Sequence, residues 1–207
     1  MPDDPDHSQR AAAQRKAGAP AGGAYTIEIA DDQSILRIDE SYLQQVAKRT
    51  LAVEEVARAT ISIAVVDDAA LRRLNRKYLD HDDDTDVLSF LLECETCPEG
   101  GGSENLVPRG RGKRIEGEIV ISAEMAVRRA AELDWSSQSE IVLYLVHGLL
   151  HLVGYDDRSE HEEALMRSRE RAVLKCLGLS AVPGVPQHGG SYPDTAGPPD
   201  NAPGAVC

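Results

Sequence analysis

The chain has 207 residues, a length that suits one domain with loose ends. Its 22 basic residues face 35 acidic ones, a formal net charge of −13 that works against a broadly basic nucleic-acid surface while leaving room for a local basic groove. No apolar run approaches a membrane span, the first residues lack a secretory apolar segment, and the spacing of Cys94, Cys97, Cys176 and Cys207 suggests no disulfide framework, so a protein of the reducing cytoplasm is expected.

Residues 1–23 show no periodicity and are expected to be a disordered tail. Tyr25–Ala30 is a short strand candidate. Asp39 is placed to cap a helix to about Val53, with Leu43, Val46 and Leu51 on one side. Thr60–Val66 is a β-branched run that predicts a strand, and Asp67 caps the helix after it, carrying Leu71, Leu74 and Tyr78. Thr85–Leu92 and Ile115–Ile121 read as two further strands. Between them residues 93–113 lack pattern and read as an inserted loop. Ser122 starts a helix through Met125, Val127, Ala130 and Leu133. Ser137 with Glu140 predicts a capping box for a helix through Val153, ended by Gly154 in the left-handed conformation. Ser159 with Glu162 predicts a second box, for a helix ending at Gly178. Residues 180–207 are rich in Pro and Gly and are expected to be a second disordered tail, leaving residues 24–179 as the domain.

The helix ending at Val153 is apolar nearly all round, as a helix running through a core must be. It carries His147 and His151, four residues apart and therefore on one side. Two buried imidazoles need partners for four ring nitrogens, and a divalent metal satisfies one nitrogen on each ring. The competing reading is a pair of core histidines. Gly154 lets the chain fold back so that Asp156, Asp157 or His161 can complete the set. Two imidazoles and one carboxylate with an open fourth position is a catalytic zinc arrangement, whereas His161 as a fourth ligand would make the metal structural. The spacing is close to that of metzincin proteases, but the glutamate that serves those enzymes as base is Gly148 here, which argues against a peptidase or amidase.

The stretch His147-Gly148-Leu149-Leu150-His151-Leu152-Val153-Gly154-Tyr155-Asp156-Asp157 resembles the H-G-x-L-H-L-x-G-Y-D-H signature of the YbeY family. Leu74-Asn75, Tyr78 and Thr85-Asp86-Val87-Leu88-Ser89-Phe90 resemble that family's L-N-x-x-Y-R-x-K-D-x-P-T-D-V-L-S-F stretch, and Gly117–Ser122 resembles its G-D-I-V-I-S strand. The resemblance covers about residues 25–178. It implies an α+β fold, a mixed sheet of about four strands with helices packed on one face and a metzincin-like zinc helix in the centre. It also implies a zinc-dependent, single-strand-specific endoribonuclease that matures the 3′ end of 16S rRNA and serves ribosome quality control. One zinc per chain, rRNA and the small ribosomal subunit as partners, and no nucleotide cofactor or membrane go with it.

Residue by residue, the resemblance assigns the metal to His147, His151 and Asp157, with Asp157 standing where the family has a third histidine. Asp156 is expected to lie behind the metal, accepting a histidine N–H. Asp86 and Ser89 are candidates to orient water or substrate. The family's arginine after the tyrosine is Leu79 here, its lysine is His81 and its proline is Asp84, so residues 80–86 are acidic where relatives offer cations. Arg109, Arg111, Lys113, Arg114, Arg128 and Arg129 are the candidate replacements for RNA contact. The alternative reading is a non-catalytic ribosome assembly factor with a structural metal.

Overall fold

The structure, a computed structural model, describes residues 24–79, 82, 84–96 and 108–179. The two tails expected at 1–23 and 180–207 lie outside the described residues, as do Cys97 and Cys207.

Four strands form one sheet: β1 (Tyr25–Asp31), β2 (Arg58–Val66), β3 (Val87–Thr96) and β4 (Lys113–Ser122), in the order β1-β2-β4-β3. β1, β2 and β4 run parallel, and β3 joins β4 antiparallel at the edge. The expected α+β class with a mixed four-stranded sheet is what the chain adopts. Alternation decides the faces. Along β2, Ala59, Ile61, Ile63 and Val65 are buried on one side while Thr60 and Ser62 are exposed on the other.

The helices are α1 (Glu40–Val53), α2 (Asp68–Leu79), α3 (Ala123–Glu132), α4 (Ser137–Val153) and α5 (Glu160–Cys176). α1 and α4 cover the buried face, and α3 and α5 pack on α4. α2 departs from the expectation of helices on one face. Its Leu71 packs against Val66, Leu88 and Val120, which point to the other side of the sheet. Among the described residues no helix is long and apolar enough to cross a membrane.

The caps follow the chemistry of the sequence with one shift. Asp39, Ser122 and Ser159 accept hydrogen bonds from Tyr42 N–H, Met125 N–H and Glu162 N–H. α4 is capped by Ser136 rather than Ser137, through Ser139 N–H. Glu140, expected to reach back in a capping box, is instead buried at 3% exposure. The expected loop at 93–113 is shorter than its pattern suggests, since β3 continues to Thr96 past a bulge between Leu91 and Glu93, and β4 starts at Lys113. Cys94 is exposed and free.

α4 is the centre of the core. Ile141, Leu145, Val146, Leu149, Leu150 and Val153 on it are completely buried. It approaches the sheet through glycine: a Cβ at Gly148 would lie 2.9 Å from Ser89 Oγ and 3.1 Å from Ile119 Cγ2. This is the structural reason that the position holds glycine and no glutamate. In a Gly148→Ala variant, overpacking costs about 1–3 kcal/mol and better helix propensity returns about 1, for an expected net loss of up to about 2 kcal/mol. Denaturant unfolding measures it, and an unchanged midpoint would mean that Ser89 and Ile119 simply yield.

Candidate metal centre

The helical spacing of α4 sets His147 and His151 side by side, and the left-handed Gly154 (φ 104°) turns the chain back beneath them. Tyr155 N–H donates to Leu150 O (3.0 Å) and Gly154 N–H to His151 O (2.9 Å), closing the helix end. Two cations complete that closure. Lys113 Nζ donates to Val153 O at 2.7 Å and Arg109 to Gly154 O at 2.6 Å, where the helix dipole is negative.

The turn places Asp157 over the two rings. Its Oδ2 lies 3.8 Å from Nε2 of His147 and 3.8 Å from Nε2 of His151, and the two Nε2 atoms are 2.9 Å apart. One ligand atom from each of the three falls within 4.8 Å of the others. The opposite ring nitrogens decide what these atoms can do. His147 Nδ1 faces Glu170 Oε1 at 2.6 Å, and His151 Nδ1 faces the Tyr155 carbonyl at 3.1 Å. A carbonyl and a carboxylate only accept, so each Nδ1 carries the hydrogen and each neutral ring offers a lone pair at Nε2. Two lone pairs and a carboxylate aimed at one point repel one another unless a cation lies between them. The donor set fits a divalent metal for that reason, and two imidazoles with a carboxylate suit zinc.

The titration behaviour agrees. Burial opposes a charge on His147, but the hydrogen bond and charge of Glu170 outweigh it and raise the ring above the ordinary histidine value. Burial, followed by the neighbouring His147, lowers His151. The pair therefore shares a single proton readily and two with difficulty, and a metal competes for the same positions.

Glu170, on α5 and 7% exposed, was not anticipated from the sequence. It holds His147 as carboxylates behind metal-bound histidines do, and loss of such a partner weakens metal binding about 10–100-fold. Glu170→Gln is expected to lower zinc affinity within that range in a competition titration with a chromophoric chelator. Unchanged affinity would reduce Glu170 to a packing role. Asp156, expected in that position, does something else: it accepts Asp157 N–H at 2.8 Å and lies 3.5 Å from Arg158. His161 is exposed on α5, outside the ligand group.

A cavity of about 240 Å³ opens beside the trio, with His147, Asp157, Asp86 and Glu170 in its wall. Asp86 is held by Val87 N–H at 2.8 Å, and its charge raises both His147 and the buried Tyr144. Ser89, by contrast, lies against Gly148 and is not in the cavity wall. Glu140 and Tyr144 continue the histidine face of α4 inward and were also missed by the sequence reading. Burial pushes the Glu140 carboxyl up, and Glu140 Oε2, Tyr144 Oη and Trp135 Nε1 are buried without a hydrogen-bond partner among the described residues.

Most of the cations proposed for RNA contact are engaged in holding the fold. Besides Arg109 and Lys113 at the end of α4, Arg111 pairs with Glu55 and Arg128 with Asp68. Arg114 is exposed on β4, opposite Glu95 in the register. Arg129 lines the cavity, and Arg167, not anticipated, lines it too.

Residues 27–178 match the family model described as Endoribonuclease YbeY. Proteins named Endoribonuclease YbeY from Salinibacter ruber and Chloroflexus aggregans are 37% and 39% identical to the chain over 151 and 157 residues. These alignments cover 73% and 75% of the chain and 91% and 97% of the relatives. A third, from Roseiflexus, is 41% identical over 145 residues, 69% of the chain and 86% of the relative. A solution structure from Thermotoga maritima overlaps with a TM-score of 0.44 at 20% identity, over 74% of the chain and 92% of that protein.

Proposed function

Because the chain belongs to the YbeY endoribonuclease family, we propose that it is a zinc-dependent endoribonuclease that hydrolyses phosphodiester bonds in single-stranded RNA. Its place is the cytoplasm, in maturation of the 16S rRNA 3′ end and in ribosome quality control, with the small subunit as partner. The observation that carries the chemistry is the convergence of three acceptor atoms, from His147, His151 and Asp157, beside an open cavity.

The chain's own residues divide the work. His147, His151 and Asp157 hold the metal, while Glu170 and the Tyr155 carbonyl fix both ring tautomers. When bound, the metal supplies Lewis acidity to a phosphoryl oxygen. Asp86, facing the cavity next to His147, orients the attacking water and is the best-placed acceptor for its proton. A peptidase route has no support at Gly148, where a larger side chain would press on Ser89.

The test is cleavage of a single-stranded RNA by purified full-length protein, with a double-stranded RNA as control. Zinc-restored cleavage after chelation, confined to the single strand, is expected. Cleavage indifferent to chelation would point to a contaminant. Ribosome co-sedimentation that survives metal-site substitution, without turnover, would favour a non-catalytic assembly factor.

A further inference from the structure

The acidic stretch at residues 80–86 offers RNA no lysine or arginine, and Arg109, Arg111, Lys113 and Arg128 lie outside the wall of the cavity beside the metal trio. Two arginines differ. Arg129 comes from α3 and Arg167 from α5, and both line the cavity that holds His147 and Asp157. Their carboxylate partners sit on their own helices in exposed pairs. Arg129 is 2.8 Å from Glu132, with side chains 57% and 58% exposed, and Arg167 pairs with Glu163 at 49% and 43%. Exposed pairs of this kind contribute little, so a phosphate, which takes guanidinium through charge-assisted hydrogen bonds, can displace either carboxylate.

Arg129 also lines the adjoining depression with Asp86 and Arg128, so it stands where the two hollows meet. The carboxylates of the cavity do not all oppose an anion. Glu170 is turned to His147, Asp157 belongs to the metal trio, and burial favours the neutral form of Glu140, which leaves Asp86 and a displaced Glu163 as the carboxylates facing the strand.

We propose that Arg129 and Arg167 form a phosphate clamp in the cavity beside the metal centre, each taking one backbone phosphate of a single-stranded RNA. The proposal rests on the RNA reading above and names the residues that position the strand. The clamp places the scissile bond over the trio by its flanking phosphates, so it acts without regard to base identity.

The test is the salt dependence of binding by metal-loaded full-length protein to a 2′-O-methylated single-stranded oligonucleotide, followed by fluorescence anisotropy. Each phosphate contact contributes about 0.7 to the slope of log K against log salt concentration. Arg129→Ala and Arg167→Ala are each expected to reduce the slope by about 0.7, and the double variant by about 1.4, with metal content unchanged. The lysine variants keep the charge and are expected to keep the slope, which a purely structural role would not predict. Lys48→Ala, exposed on α1, is expected to leave it unchanged. If wild type binds and cleaves RNA while the double variant keeps the full slope, the clamp alone is overturned. If wild type neither binds nor cleaves, the RNA reading falls and the clamp with it.

Discussion

His147→Ala and His151→Ala are expected to purify without metal and to lose RNA cleavage to background, whereas wild type holds close to one zinc per chain after zinc is supplied. Each imidazole is anchored through its other nitrogen, to Glu170 or to the Tyr155 carbonyl, so neither ring can be replaced by a neighbouring side chain. Asp157→Ala tests the third position separately. Its carboxylate is 42% exposed and reaches both rings at 3.8 Å, with no packing role to confuse the outcome. Elemental analysis beside the cleavage assay decides the matter. Metal lost in all three variants assigns the set as drawn. Metal retained only in Asp157→Ala moves the third ligand to another acid. Metal absent from zinc-treated wild type would leave two core histidines and remove the basis for hydrolysis.

The largest loss of stability is expected from Arg169→Ala. Glu54 is completely buried at the end of α1, with Arg169 of α5 against its carboxylate and donating also to Val53 O at 3.1 Å. Breaking a buried pair by removing one partner strands the other charge and costs about 3–5 kcal/mol, while replacing both by apolar residues of similar volume is near neutral. A drop of that size lowers the thermal midpoint of a domain this large by roughly 10 °C. The pair Glu54→Leu/Arg169→Met is expected to recover most of it.

The pH dependence has a definite sign. Burial raises the Glu54 carboxyl, and Arg169 is the main influence pulling it down. Without Arg169 the folded value rises further. A carboxyl raised on folding contributes stability that is complete below its unfolded value, about 4.3, and is lost as pH climbs through the folded value. The Arg169→Ala variant should therefore gain on wild type as pH falls toward 4. A deficit constant from about pH 4 to 8 would show that the loss is packing and not a stranded charge.

The sequence made α4 legible because its apolar character, its histidine pair and Gly154 all point to one buried helix with one sharp end. What it left open has physical causes. Ser136, Ser137 and Ser139 crowd the start of α4, so side-chain chemistry alone could not choose the cap, and Glu140 was assigned to the wrong task. The end of β3 carries a bulge and is exposed on both sides, which removes the alternation that marks a strand. An amphipathic pattern shows that α2 packs, but not on which face of the sheet. Glu170 lies 23 residues from His147, and no spacing rule links two helices across a turn. A signal was nevertheless present: Met166, Glu170, Val173 and Leu174 are the buried residues of α5, and an acid on an otherwise apolar face needs a partner.

The layout of the sheet also bears on the order in which the molecule assembles. β2 pairs with β4 so that Arg58 lies opposite Arg114, and α2 and β3 must be looped out between them. Pairings over such sequence distances close large loops before they are rewarded, and they slow folding. The ligand set makes no such demand. His147, His151, Asp157 and Glu170 lie on a single helical hairpin, α4 and α5 with the turn between them. Local helical contacts of this kind form early, so a metal ion can meet its ligands on the hairpin while the strands are still finding one another, and can hold that hairpin ready as the sheet closes against it.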